Sequence, residues 1–334
     1  MPERKLWLGS AIAVAGLIIG VWAVFFRPAT VSRSEMAMGT FVEITATGVR
    51  PAPAVQAAFA EIRRIERLTR SDGPSDVARI NAAAGIKPVA VSGDTIVILQ
   101  LVARYWLWLP ETFDPTVGPV VEAWGFGYGS TPKLPSPQAV AKALPLVGFG
   151  KVDIDPARRT VFLQRPGMRL DLGGIAKGYA VDRACEVLQR HGIRSALINA
   201  GRSSIRVLGR KNGGGDWRIG IGHPRRNGEL LGVLNLAGDR ALGTSADDQN
   251  YFESGGRRYS HLLDPATGYP AWDQILVTVT APTAAEADLL STALFVLDRT
   301  RIESALQHLP EVDLIIYDAA GHLSIHGEPE FKAR

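Results

Sequence analysis

A membrane-spanning helix followed by a domain of helices and antiparallel strands is the architecture the sequence predicts. Three observations carry that expectation. Residues 6–26 hold no charged side chain; at ~1.5 Å per residue the run matches the hydrocarbon thickness of a bilayer. Residues 53–70 repeat apolar side chains with the helical period, Val55, Ala58, Phe59, Ile62, Ile65 and Leu68 falling on one face. Between residues 195 and 243, short apolar runs follow one another with turns and no helical stretch, the pattern of antiparallel strands.

The 334 residues are 46% hydrophobic and 21% charged, a globular balance with some apolar excess. The net charge of +4 is spread along the chain with no dense Lys/Arg tract, which argues against nucleic acid as a partner. One cysteine, Cys185, excludes an intrachain disulfide framework and a cysteine metal site, and reads as a small buried apolar residue.

Taken in order, residues 1–5 form a short N-terminus whose Arg4 and Lys5 favour a cytoplasmic start, although Arg27 and Arg33 follow the apolar run. A retained signal anchor competes with a cleaved export signal; the length of the run and the lack of a small-x-small site favour the anchor. Either way the remainder is exported, and a lone cysteine suits an oxidising space. Residues 27–35 read as a polar linker and 36–334 as the folded domain. The alternation of residues 41–47 predicts a strand ending at Gly48. A helical turn is expected over 75–81 and a second, more apolar helix over 95–108, capped by Ser92 or Asp94. Its Tyr105, Trp106 and Trp108 suit the core, or the wall of a flavin or adenine site. The Pro/Gly-punctuated loop 112–119 either lines a cleft or turns a corner. Residues 136–144 form a short helix with Pro137 at its first position, and strands follow at 152–154 and 160–163.

Three stretches carry chemistry. Asp171-Leu172-Gly173-Gly174-Ile175-Ala176-Lys177-Gly178 runs a strand into a glycine-rich turn that opens a helix. Free N–H groups and Lys177 would cradle a phosphate there, and plain strand–helix packing is the competing reading. Tyr259-Ser260-His261 delivers a histidine from a strand end, and Asp264-Pro265 to Gly268 then turns the chain. Imidazole titrates near neutral pH and suits acid–base work, against the alternative of a turn histidine. Thr283 to Glu286 is a capping box, and beyond it Asp288 and Thr292 lie one helical turn apart, two hard oxygen donors suited to Mg²⁺. Thr244-Ser245 closes a predicted strand just before the histidine stretch.

Together these motifs resemble the ApbE family, the FAD:protein FMN transferases. The resemblance runs from about Met36 to the end. It rests on Met38-Gly39-Thr40, Phe113 to Gly118, Trp124-Gly125-Phe126, Asp171 to Gly178, Asn199-Ala200-Gly201, Thr244-Ser245, Tyr259 to Gly268 and Ala287 to Ala293. It implies an exported bacterial enzyme with an α+β, T-fold-related domain of mixed and antiparallel sheets and flanking helices; with the anchor read from residues 6–26, the expected location is a bacterial inner membrane with the domain on the periplasmic side. It implies Mg²⁺-dependent transfer of FMN from FAD to a Thr or Ser hydroxyl of an exported, FMN-carrying respiratory protein, with release of AMP. By resemblance, Asp288, Thr292 and the Ala176 carbonyl hold Mg²⁺, and His261 is the general base. Gly173, Gly174 and Lys177 lie along the FAD, with Met38, Asp114, Asp182, Thr244 and Ser245 near it. Asp264 shapes the turn rather than orienting the base. Arg202 stands where many members carry a second glycine, and Ala246 where many carry glycine. An FAD pyrophosphatase or a flavin-binding assembly protein without turnover are the competing functions.

Overall fold

The computed structural model describes residues 27–127 and 129–334. The expected membrane span, residues 6–26, lies outside the described residues. Among the described residues no helix is long and apolar enough to cross a membrane. The fold-class expectation is corrected accordingly: the described structure is an α+β domain without a transmembrane helix. The signal anchor, the membrane as partner and the inner-membrane, periplasm-facing location rested on that span and are withdrawn with it. The most apolar of the described helices, Ala284–Phe295, has 12 residues, well short of the ~20 that a bilayer requires.

The domain opens with a hairpin. Strands β1 (Ala29–Ala37) and β2 (Thr40–Gly48) pair antiparallel across Met38-Gly39. Residues 30–35, expected as a polar linker, therefore belong to a strand. They sit on an edge with little burial, so no apolar alternation marks them. Helix α1 (Pro51–Thr69) buries the stripe that its sequence predicts, including Phe59, Ile62 and Ile65. Helix α2 (Asp76–Ala82) is capped by Ser75, strand β3 spans Val89–Ala90, and helix α3 (Gly93–Trp106) is capped by Ser92. The loop of residues 112–117 leads into α4 (Gly118–Trp124), which the sequence reading missed because Gly118 and Pro119 open it and Gly125 ends it; α5 (Pro137–Ala143) follows. Strands β4 (Val152–Asp155) and β5 (Thr160–Leu163) join β3 in a small sheet.

Helix α6 (Gly173–Arg190) is followed by β6 (Ser195–Ala200), β7 (Ser204–Leu208), β8 (Trp217–Gly222), β9 (Leu230–Leu236) and β10 (Asp239–Ala246). A separate hairpin, β11 (Tyr251–Ser254) with β12 (Arg257–Ser260), precedes β13 (Gln274–Ala281). Helices α7 (Ala284–Phe295) and α8 (Arg299–Leu306) and strands β14 (Asp313–Asp318), β15 (Leu323–His326) and β16 (Phe331–Ala333) complete the chain.

Eight strands form one antiparallel sheet in the order β1-β2-β6-β7-β10-β13-β14-β15. One face packs on α1, α6 and α7; the other packs on the three-stranded sheet β16-β9-β8. Strand periodicity decides which residue meets which layer. On β7, Ile205 and Val207 enter the core against the small sheet. Ser204 and Arg206 must then point at the helices. On β10 the same alternation turns Gly243 and Ser245 toward α7, while Leu242 and Ala246 face the small sheet. Burying one large aliphatic or aromatic side chain contributes about 1.5–3 kcal/mol, so this two-faced core fixes the register firmly. Cys185 is buried in the helix-side core, as its position predicts.

Candidate active site

The centre of the candidate site is Asp288 on α7. Its Oδ2 accepts hydrogen bonds from the Gly178 N–H at 2.8 Å and from the Ser204 hydroxyl at 2.7 Å. Burial pushes its carboxyl up to about 7, an effect that Lys177, Ser204 and Gly178 counter. Thr292, one turn on, directs its hydroxyl to the Asp288 carbonyl at 3.1 Å and lies 3.2 Å from Ser245 Oγ. Ser245 Oγ also meets Ser291 Oγ at 3.0 Å. The expected pair Asp288 and Thr292 thus lies on the helix face that meets β7, β10 and the start of α6.

Close backbone contact makes that meeting possible. A Cβ on Gly178 would lie 2.1 Å from the Ala284 carbonyl oxygen, and one on Gly243 would lie 2.3 Å from the Ala287 backbone. A Cβ on Gly174 would lie 2.7 Å from Phe113 Cε2 and 3.3 Å from Thr292 Oγ1. The glycines of the Gly173–Gly178 stretch therefore let α6 approach α7 and the 112–117 loop. Gly173 begins the helix, and its N–H is held by Asp171 Oδ1 at 2.7 Å. Ala176 and Lys177 immediately precede Gly178. Lys177 forms no ion pair among the described residues, and its charge acts on both Asp288 and His261.

His261 follows β12. Its backbone N–H donates to the Asn250 carbonyl at 2.9 Å, and its ring Nδ1 lies 3.1 Å from the same oxygen. Against a carbonyl, Nδ1 carries the proton, which leaves the Nε2 lone pair free to accept one. Burial, assisted by Lys177, pushes the imidazole down to about 4, so the ring is neutral at physiological pH. Asp264 is not its orienting partner. Its oxygens accept from the Ala266 N–H and the Thr267 hydroxyl, as a turn former does. Trp124 locks that turn by donating Nε1–H to the Gly268 carbonyl at 2.8 Å.

The remaining expected residues lie at varied distances from this centre. Met38 occupies a left-handed conformation (φ 53°) ahead of Gly39 (φ 70°) in the β1–β2 turn. The neighbouring β6–β7 turn, with Gly201 and Arg202 both at φ 64°, presses against Thr40. A methionine and an arginine in conformations that favour glycine are locally strained, at roughly 1–3 kcal/mol each. Thr244 faces away from Ser245 and meets the Thr278 hydroxyl at 3.0 Å. Asp114 binds the Thr116 and Phe149 N–H groups and the Thr116 hydroxyl, tying down the loop that carries Phe113. Asp182 caps α7 through the Ala284 and Ala285 N–H groups at 2.8 and 2.9 Å and pairs with Arg206. Ser204 was missed by sequence reasoning: it is fully buried, but β7 also carries Arg206 and nothing local marks the serine. Gly178 was read as part of the glycine-rich turn, not as a donor to Asp288.

No group of three or more His, Cys, Asp and Glu side chains able to hold a metal ion occurs among the described residues. The metal-binding expectation is corrected to this extent: its donors, Asp288, Thr292 and the Ala176 carbonyl, include a single carboxylate and make up no such group. A 130 Å³ cavity beside Arg240, Asp313 and Glu328 includes none of these residues.

Comparison with known proteins bears on the family and the fold. Residues 38–316 match the ApbE family. An FAD:protein FMN transferase of Treponema pallidum is 32% identical over 303 residues, covering 85% of this chain and 83% of that protein. One of Haemophilus influenzae is 31% identical, covering 94% and 92%. The crystal structure of the ApbE protein of Thermotoga maritima superposes with a TM-score of 0.82 at 31% identity, covering 89% of this chain and 97% of that one. The flavin transferase ApbE of Vibrio cholerae superposes with a TM-score of 0.79 at 26% identity, covering 90% and 97%.

Proposed function

The chain belongs to the ApbE family of flavin-transferring enzymes, and from that premise we propose that it moves FMN from FAD onto a threonine or serine hydroxyl of a partner protein. The hydroxyl oxygen bonds to the FMN phosphorus, the pyrophosphate bond breaks, and AMP leaves. His261 Nε2 takes the hydroxyl proton as general base, while Nδ1–H to Asn250 fixes the tautomer that makes this possible. The N-terminus of α6 and Lys177 face the pyrophosphate with a partial and a full positive charge.

Mg²⁺ fits this donor set. Asp288 is buried without a cationic side chain in hydrogen-bond contact, and its carboxyl is pushed up to about 7; a hard divalent cation relieves that cost. Asp288, Thr292 and the Ala176 carbonyl are the residues that would hold it. When bound, the ion neutralises charge on the phosphoryl oxygens. Met38, Gly173, Gly174, Thr244 and Ser245 complete the proposed FAD surroundings, with Asp114 and Asp182 supporting them from behind.

The observation that carries this reading is a neutral histidine with a free Nε2 sharing Lys177 with the buried Asp288. The test incubates the full chain with FAD, Mg²⁺ and a candidate FMN-domain protein, followed by a denaturing gel and intact mass. A fluorescent acceptor heavier by one FMN less one water is expected, and His261→Ala should abolish it. Free FMN and AMP beside an unmodified acceptor would instead indicate hydrolysis.

A further inference from the structure

Among the described residues, the β11–β12 hairpin that leads into His261 is hydrogen-bonded as a sheet to no other strand. Something else must hold it. On one face, Phe252 and Tyr259 pack on Trp124, with ring centroids at 6.3 and 5.5 Å. On the other, Arg258 lies over the Tyr251 ring at 4.0 Å and 3.9 Å from Asp247. Asp247 also takes a two-pronged ion pair from Arg225, at 2.7 and 2.5 Å. Both anchors of Asp247 are firm. Its N–H donates to the Ile275 carbonyl at 3.1 Å, and it follows Ser245 by two residues. Arg225 is held in turn by His223, which accepts the Arg225 N–H and packs edge-on against Tyr317 of β14 at 5.2 Å.

The geometry points to Asp247 as a positioning residue: with Arg225 and Arg258 it clamps the hairpin, and therefore His261, to the sheet end that carries Ser245. The inference rests on the reading of His261 as the base. A carboxylate is suited to the place because one side chain must satisfy two guanidinium groups, Arg225 from the β8–β9 loop and Arg258 from β12. All three side chains keep partial solvent exposure. Exposed pairs of this kind add little to global stability, so the clamp serves placement more than folding.

The test compares wild type with Asp247→Asn, Arg225→Gln and the conservative Arg225→Lys. The readouts are His261 titration by NMR, AMP release from FAD in the presence of Mg²⁺ and the candidate FMN-domain acceptor, and thermal unfolding. In Asp247→Asn and Arg225→Gln, the His261 titration should rise from about 4 toward the ordinary histidine range as the hairpin loosens. The kcat should fall about 10- to 100-fold, the cost of a small misplacement, with KM for FAD within about twofold. Arg225→Lys should fall between these and wild type, and unfolding midpoints should stay within about 4 °C. An unmoved His261 titration in folded variants overturns the clamp, and so does loss of fold in all three, which would make the network a general scaffold. If wild type releases no AMP, the functional reading fails instead, and the titration still decides the clamp.

Discussion

Two titrating side chains at the site pull stability in opposite directions. Asp288 has its carboxyl raised to about 7 in the fold, so the folded chain keeps a proton that the unfolded chain releases above about 4. That contribution is present at low pH and is lost as pH rises through 7. His261 is depressed from 6.5 to about 4, so its contribution is present above 6.5 and is lost as pH falls toward 4. Between those limits the two oppose each other. Asp288→Asn should therefore raise the unfolding free energy at pH 8 in the absence of divalent cation, by about 1–3 kcal/mol, as calorimetry would show. Protons should also compete with Mg²⁺ at Asp288, weakening binding about tenfold for each pH unit below 7; isothermal titration at pH 8 and pH 6 checks this. His261, Asp288 and Thr292 were legible in the sequence because each carries its chemistry within a local motif. The role of Asp182 was not, because the N–H groups it caps lie more than 100 residues further along the chain.

At the scale of elements, the site depends on α6 and α7 touching without side chains between them. Gly178→Ala would place a Cβ 2.1 Å from the Ala284 carbonyl oxygen and should force the helices apart. The expected cost is about 1–3 kcal/mol, read by chemical denaturation, with weaker cation binding because Asp288 loses the Gly178 N–H. Asp182→Ala leaves the Ala284 and Ala285 N–H groups without their acceptor and leaves the largely buried Arg206 with Asp239 alone; about 1–3 kcal/mol of stability should go with it. The capping box at Thr283 and the amphipathic stripe of α1 let those helices be read closely from sequence. Strands β1 and β11 escaped, because both are largely exposed and lack apolar alternation, whereas the end of β12 was expected from Tyr259 and Ser260. The same exposure explains how an edge strand was taken for a linker.

Across the whole molecule, the layers meet where the helix side of the sheet supplies Ser204, Ser245 and Asp288 and the hairpin supplies His261. Segments from residue 38 to residue 292 contribute, so no single stretch folds the site alone. A cation that binds only the folded chain should raise its stability with concentration, by about 2.7 kcal/mol at 100 times Kd; a Mg²⁺ series monitored by thermal unfolding tests it. Antiparallel strands and helices were both foreseen, but the pairing that sets β2 beside β6 was not, since the order of strands in a sheet is decided by long-range packing. One buried residue has a practical consequence. Cys185 is the sole cysteine of the chain, lies in the core, and has its thiol pushed up to about 12 by burial. It will ignore maleimides, so a cysteine introduced at the exposed hairpin tip, Ser254→Cys, gives a single labelling position for a fluorescent reporter with no competing thiol to remove.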